Sequence, residues 1–176
     1  GRIKCGTESN GGCRNITISN CVCEGARGIA LESSDGALLE DITLSNITMR
    51  EATCAPLYLR LNARMRGPKD AKVGTLRRIL INNLVSYNSS SQQSSILADI
   101  PAAMIEDVQL SNSYQHQIGG AAKAMADLIP DQKINDYPDP TRMGDMPAHG
   151  LFLRNIKGID ISHVEFALAT PVVAIP

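Results

Sequence analysis

Two cations near the start of the chain have the type and spacing of an anion-binding site. If residues 1–6 form a β-strand, Arg2 and Lys4 share one face while Ile3 and Cys5 point the other way. Two cations about 7 Å apart on a rigid surface repel each other unless an anion lies across them. The stretch predicts either a carboxylate or phosphate site, or an exposed edge strand that its cations keep soluble.

Length and charge limit the classes of function. The 176 residues suffice for one domain with a sizeable core, and no apolar run reaches membrane-spanning length. Through Arg78 there are 12 Lys or Arg and 8 Asp or Glu, a net charge of +4, and after it 5 and 10, a net charge of −5. This asymmetry favours a local anion site and argues against a nucleic-acid surface. A phosphate-binding loop and a dinucleotide fingerprint are missing, so we expect no cofactor.

Five cysteines lie in the first third of the chain: Cys5, Cys13, Cys21, Cys23 and Cys54. Zinc-finger spacing with partner histidines is missing, so no metal site is predicted. We interpret the cysteines as small buried side chains, with room for one disulfide if the protein is exported.

A pattern of alternating apolar and polar residues occurs five times. The copies are residues 14–20, 40–46, 78–83, 106–112 and 158–163. A second, shorter strand pattern lies between them, at residues 28–32, 56–61, 95–100 and 150–154. A repeated unit of strand, turn, strand and turn predicts an all-β solenoid, here one domain over residues 1–176.

The spacing of the copies favours a parallel β-helix. Their equivalent corner residues are Asn20, Asn46, Asn83, Asn112 and His163, which are 26, 37, 29 and 51 residues apart. Asn tolerates the left-handed backbone of a tight corner, and its amide can bond to the copies above and below. A leucine-rich repeat is the competing solenoid, but Asn46 follows Leu44 too closely and the helical half is missing.

Two long insertions interrupt the repeat, and insertions in solenoids often form the binding surface. The first, residues 62–74, carries four cations that are either a solvated loop or ligands. They are Arg64, Arg66, Lys69 and Lys72. The second, residues 117–148, contains a predicted short helix at 121–128 and then a Pro-rich stretch.

Outward positions of the shorter strands define a candidate binding surface. The alternation assigns to that face Ala30, Glu32, Tyr58, Arg60, Leu97, Asp99, Phe152 and Arg154. Arg2 and Lys4 are expected directly beneath Ala30 and Glu32, one coil earlier. A band of Arg2, Lys4, Tyr58 and Arg60 could then bind a chain of sugar acids. The alternatives are that Tyr58 and Phe152 pack under an insertion loop and that Glu32 neutralises Lys4.

A general acid and base pair is not evident in the chain. Asp35, Asp139 and Asp145 are candidates by residue type only, and Asp99 stands alone on its strand. The residue types alone leave these candidates open.

Several motifs resemble the bacterial-type members of the polygalacturonase-type glycoside hydrolases, which are right-handed parallel β-helices. Residues 1–4 resemble the Arg-Ile-Lys motif of that family. The likeness extends over nearly the whole chain and includes residues 7–12, 14–20, 28–32, 39–42, 55–61, 64–68, 137–140 and 147–150.

The resemblance implies inverting hydrolysis of α-1,4-linked galacturonic acid in pectin by a secreted or periplasmic enzyme without a cofactor. Of the family's functional residues only Arg2 and Lys4 match, as ligands for the substrate carboxylate. The catalytic aspartates lie before Arg-Ile-Lys in that family, so this chain is expected to be an inactive C-terminal portion. A tyrosine that many members place one coil later has no match, because residues 32–35 read Glu-Ser-Ser-Asp.

Two other functions remain open. One is a non-catalytic β-helix that binds acidic polysaccharide, and the other is a calcium-dependent pectate lyase, although outward acids suited to calcium are not apparent. We expect no nucleic-acid or membrane partner. Unpaired strands near residues 1–6 and 172–175 predict self-association through open ends of the solenoid.

Overall fold

The regular structure of the described residues consists almost entirely of β-strands. The computed structural model describes residues 2–89, 95–101, 103–147 and 149–170. Gly1 and the predicted open end at residues 172–175 therefore lie outside the described residues. The strands are β1 (Ile3–Cys5), β2 (Cys13–Glu24), β3 (Ile29–Ser33), β4 (Leu38–Arg50), β5 (Leu57–Leu61), β6 (Thr75–Ser89), β7 (Ser95–Ala98), β8 (Ile105–Gly119), β9 (Leu151–Arg154) and β10 (Ile156–Thr170).

The strands alternate between two parallel sheets of five strands each. One sheet has the order β1-β3-β5-β7-β9, and the other has the order β10-β8-β6-β4-β2. The five predicted repeat copies lie in the second sheet, where Ile16, Ile42, Ile79, Val108 and Ile159 pair in register across neighbouring strands. The predicted shorter strands form the first sheet, and β1 joins it through the pairing of Ile3 with Ile29.

The predicted corner residues have left-handed backbones. Asn20, Asn46, Asn83, Asn112 and His163 all have φ between 48° and 56°. The amide nitrogen of Asn46 donates to the Asn20 side-chain oxygen at 3.0 Å, and Asn83 donates to Asn46 at 3.0 Å. The Asn ladder is thus confirmed at these three corners, where each amide bonds to its neighbour in the next strand.

A second row of left-handed residues lies five positions earlier and was not predicted. Its members are Asn15, Asp41, Arg78, Asp107 and Gly158, with φ between 54° and 72°. A Cβ on Gly158 would lie 2.7 Å from an Asp107 carboxylate oxygen, so a larger residue there would displace the Asp107 side chain. Each long strand therefore bends twice. It also continues beyond the Asn corner, where a turn was expected, because alternating residues such as those at 47–50 extend the sheet.

Most core positions agree with the alternation. Ile29, Leu31, Leu57, Leu59 and Leu61 are at most 1% exposed and pack against aliphatic side chains of the second sheet. Burial of these stacked aliphatic side chains is the main stabilising contribution that the sequence supplies.

The assignment of Leu97 to the outward face was wrong, and Asp99 is buried directly after β7. Leu97 pairs with Leu59 and lies in the core, whereas Ile96 and Ala98 pack with Tyr58 in a separate cluster. A slip of one residue reverses every side chain of a strand, and in β7 two adjacent apolar residues made the phase ambiguous.

The cysteines serve as packing residues. Cys54 is buried, the other four are half-buried, and all five carry free thiols. Cys5, Cys13, Cys21 and Cys23 pack against the main core. Burial, with a smaller effect from the neighbouring Cys13, raises the pKa of Cys5 to about 11.

The two insertions contain little regular structure. The second has two short 3-10 helices, Lys123–Asp127 and Pro140–Met143, and the first of these lies within the predicted helix. Among the described residues no helix is long and apolar enough to cross a membrane.

Candidate functional site

The register of β1 differs from the expected one by two residues. Lys4 pairs with Ala30, so Lys4 and not Arg2 lies beneath Ala30. A Cβ on Gly6 would lie 2.1 Å from the Glu32 carbonyl oxygen, which places Gly6 beneath Glu32. Arg2 and Lys4 therefore approach Glu32 diagonally from the neighbouring strand and not from the position directly beneath it.

Glu32 is the centre of a buried polar cluster. Its side chain is 0% exposed, and its Oε2 lies 2.7 Å from the Lys4 Nζ. The Thr7 hydroxyl donates to the same oxygen at 2.8 Å, and the Arg2 guanidinium lies 3.5 Å from Oε1. Burial raises the pKa of Glu32, although hydrogen bonds from Lys4 and Thr7 oppose the shift. The structure contains the Lys4–Glu32 ion pair of the alternative interpretation, and Arg2 is a second cation beside the same carboxylate.

Lys4 is more accessible to a ligand than Arg2. The Arg2 side chain is 9% exposed, and it also donates to the Arg27 carbonyl oxygen at 3.2 Å. The Lys4 side chain is 23% exposed and lines an open pocket of about 470 Å³. Of the two predicted carboxylate ligands, the structure therefore leaves mainly Lys4 facing a space that a ligand could enter.

The pocket contains residues that the sequence did not single out. It is lined by Lys4, Gly6, Thr7, Glu8 and Tyr137. Tyr137 comes from the Pro-rich part of the second insertion, and its hydroxyl lies 3.3 Å from the Lys4 Nζ. Because this contact joins residues 133 positions apart, no local periodicity could have revealed it.

Tyr58 lies beneath the second insertion instead of on an open surface. Its side chain is 1% exposed and packs with Ala30, Met143 and Met146. Burial raises the pKa of the Tyr58 hydroxyl well above its ordinary value. This placement matches the alternative interpretation of Tyr58 as a packing residue.

Arg60 holds the second insertion against the first sheet. It is 1% exposed and donates to the backbone oxygens of Ala98 at 3.3 Å, Lys133 at 3.3 Å and Gln132. Its donors are therefore committed to the protein itself. The expected band of Arg2, Lys4, Tyr58 and Arg60 does not form one continuous exposed surface.

The cations of the first insertion fall into two groups. Arg64 is buried and forms an ion pair with Asp35, and its Nη2 lies 3.4 Å from the Glu8 carboxylate. Arg66, Lys69 and Lys72 are exposed, as expected for a solvated loop.

Two of the candidate acids are paired with arginines. Hydrogen bonding from Arg64 lowers the pKa of Asp35. Burial raises the pKa of Asp139, but hydrogen bonds from Thr141 and the charge of Arg27 outweigh it and lower the pKa overall. Both carboxyl groups are therefore held in the ionised form.

The other two candidate acids lie in opposite environments. Asp99 is 0% exposed, and burial raises its pKa to about 7. Asp145 is exposed on the second insertion. Over the described ranges, no group of three His, Cys, Asp or Glu residues could hold a metal ion.

Comparisons with protein-family models, with curated proteins and with solved structures found no match to this chain.

Proposed function

We propose that the chain winds as a right-handed parallel β-helix with two long insertions. The strict alternation of strands between two parallel sheets supports this proposal, because a chain that returns to the neighbouring position after each unit stacks coil upon coil. The left-handed corner rows at two positions of each long strand also support it, since they recur once per unit. Handedness rests on the resemblance to the polygalacturonase-type hydrolases.

We further propose that the chain binds acidic polysaccharide of the galacturonan type through the pocket at Lys4. The observation that carries this function is an ammonium group held on a rigid sheet beside an aromatic residue, at the mouth of a pocket of about 470 Å³. A pocket of this size falls within the range of small-molecule sites, roughly 300 to 1,000 Å³. Lys4 would bind a sugar carboxylate, and Arg2 would add positive charge behind it.

The enzyme that fits this proposal is a polygalacturonase-like, inverting glycoside hydrolase of secreted or periplasmic origin. Its acid and base would have to be residues other than Asp35, Asp99 and Asp139. Asp35 and Asp139 are kept ionised by arginines, which does not suit a general acid, and neither they nor the buried Asp99 lines the pocket. The absence of these three aspartates from the pocket favours a second candidate, a non-catalytic module that binds acidic polysaccharide.

Binding and hydrolysis distinguish the two candidates. We expect trigalacturonate to bind the chain in a calorimetric titration and its fully methyl-esterified form to bind at least tenfold more weakly, because esterification removes the charge that Lys4 recognises. Equal binding of the two trisaccharides would contradict the proposed site. In a protein that carries this chain, release of reducing ends with inverted configuration identifies the hydrolase, whereas binding without release identifies the module.

A further inference from the structure

The second insertion brings an aromatic side chain to the predicted carboxylate site. The Lys4 Nζ lies 3.3 Å from the Tyr137 hydroxyl oxygen and 5.2 Å from the centre of its ring. On the side of the first insertion, the Arg64 guanidinium lies 5.6 Å from the same ring centre. The Lys4 Nζ donates to the Tyr137 hydroxyl oxygen, so this oxygen acts as an acceptor inside the pocket.

Tyr137 is held in place by its own backbone and by the residues around it. Its N–H donates to the Asp136 side chain at 2.7 Å, and its carbonyl oxygen accepts from the Asp139 N–H at 2.9 Å. Asp139 in turn accepts from Arg27 at 2.9 Å through both carboxylate oxygens. Both bonds come from the Arg27 Nη2, and this bifurcated ion pair holds the insertion next to Tyr137, so a ligand would meet a preorganised side chain.

The pocket offers both donors and acceptors. Lys4 supplies a cation, Thr7 a hydroxyl, and Glu8 a carboxylate that is 75% exposed. In the wider cluster, three cations face three carboxylates: Arg2, Lys4 and Arg64 against Glu8, Glu32 and Asp35. A cluster that is neutral overall does not suit a multiply charged anion such as phosphate, but it suits a ligand that carries one carboxylate together with hydrogen-bond donors.

We infer that Tyr137 and Glu8 are specificity-determining residues of this pocket, which selects a pyranose that bears both a carboxylate and free hydroxyl groups. In this arrangement Lys4 pairs with the sugar carboxylate, Glu8 accepts from the hydroxyl groups, and Tyr137 forms the wall beside Lys4. Gly6 packs so closely against Glu32 that a Cβ there would lie 2.1 Å from the Glu32 carbonyl oxygen. The inference rests on the proposed function and adds to it the recognition of the hydroxyl groups.

The test compares the affinity of trigalacturonate for four proteins. These are the wild type, Tyr137→Ala, Glu8→Gln and the matched control Tyr114→Ala, whose tyrosine is 36% exposed on β8 of the other sheet. We expect Tyr137→Ala and Glu8→Gln each to weaken binding about two- to tenfold, the scale of one hydrogen bond, and Tyr114→Ala to leave it unchanged. We also expect wild type to prefer trigalacturonate over its O-acetylated form, and Glu8→Gln, whose amide oxygen still accepts but carries no charge, to show a weaker preference.

The outcomes separate this inference from the proposed function. If wild type binds trigalacturonate better than its methyl ester but Tyr137→Ala and Glu8→Gln bind like the Tyr114→Ala control, the inference is wrong and the proposed function stands. If wild type does not distinguish trigalacturonate from its methyl ester, the proposed function itself is wrong. Should Tyr137→Ala unfold, Tyr137→Phe keeps the ring and removes only the hydroxyl, and a loss of affinity of about two- to fivefold is then expected.

Discussion

Replacing Lys4 by methionine should destabilise the fold, and the loss should depend on pH. The substitution keeps most of the side-chain volume but leaves the Glu32 carboxylate, which is 0% exposed, without its 2.7 Å partner. Breaking a fully buried pair costs about 3 to 5 kcal/mol. Because Lys4 is 23% exposed and Arg2 remains 3.5 Å from Glu32, we expect a smaller loss, about 2 to 3 kcal/mol at neutral pH.

The direction of the pH effect follows from the raised pKa of Glu32. An acid whose pKa is higher in the folded protein than in the unfolded chain favours the folded state while it is protonated. That contribution is fully present below the ordinary value of 4.5 and is lost as the pH rises through the folded value. Without Lys4 the folded pKa rises further, so the stability difference between Lys4→Met and wild type should be small at low pH and should grow as the pH increases.

Urea unfolding of wild type, Lys4→Met, Glu32→Gln and the double variant measures this coupling. The double variant should recover most of the loss caused by Lys4→Met alone, because it no longer buries an unpaired carboxylate. A Lys4→Met loss that is independent of pH, or a double variant as unstable as the sum of the single variants, would refute the buried ion pair as the cause.

Three further predictions concern parts of the fold away from the pocket. Asp99→Asn should stabilise the protein by up to about 4 kcal/mol at pH 8 and have little effect near pH 4. The reason is that the pKa of Asp99 is about 7 in the folded protein, so stability is lost as the pH rises from 3.8 through 7. Equal effects at both pH values would contradict the raised pKa of Asp99. Leu59→Ala should cost about 2 to 5 kcal/mol in denaturant unfolding, because Leu59 is 0% exposed, whereas Leu153→Ala, at a position 39% exposed, should cost clearly less. Asn46→Ala should lower the free energy of unfolding by about 1 to 2 kcal/mol, because it forces a left-handed backbone on alanine, and Asn46→Gly should lower it less. The reverse order would contradict the left-handed backbone at Asn46.

The regular part of the fold could be predicted because the same local pattern occurs in every unit. The apolar alternation of β4 or β5 indicates which side chains enter the core, and the Asn corners carry a residue type suited to a left-handed backbone. The second corner row was missed although four of its five members are Asn, Asp or Gly, because these types differ from copy to copy and Arg78 has no preference for a left-handed backbone. In β7, adjacent Ile96 and Leu97 left the phase of the strand unclear.

The candidate site was harder to predict than the strands. Arg2, Lys4 and Glu32 come from neighbouring strands, so their proximity followed from the repeat. Tyr58 and Arg60 were placed on the correct face, but no local pattern indicates how closely the second insertion covers that face. Tyr137 enters the pocket only because that insertion folds back on β1, and such a contact depends on the conformation of a loop without periodic structure.

The central claim is that Lys4 and its pocket recognise the carboxylate of a sugar acid. Its most direct test is a calorimetric titration of the wild-type chain with trigalacturonate and with the fully methyl-esterified trisaccharide. We predict saturable binding of the acid that weakens as salt is added, and binding of the ester that is at least tenfold weaker. Equal affinities for the acid and the ester, or no binding of the acid at low salt, would contradict the claim.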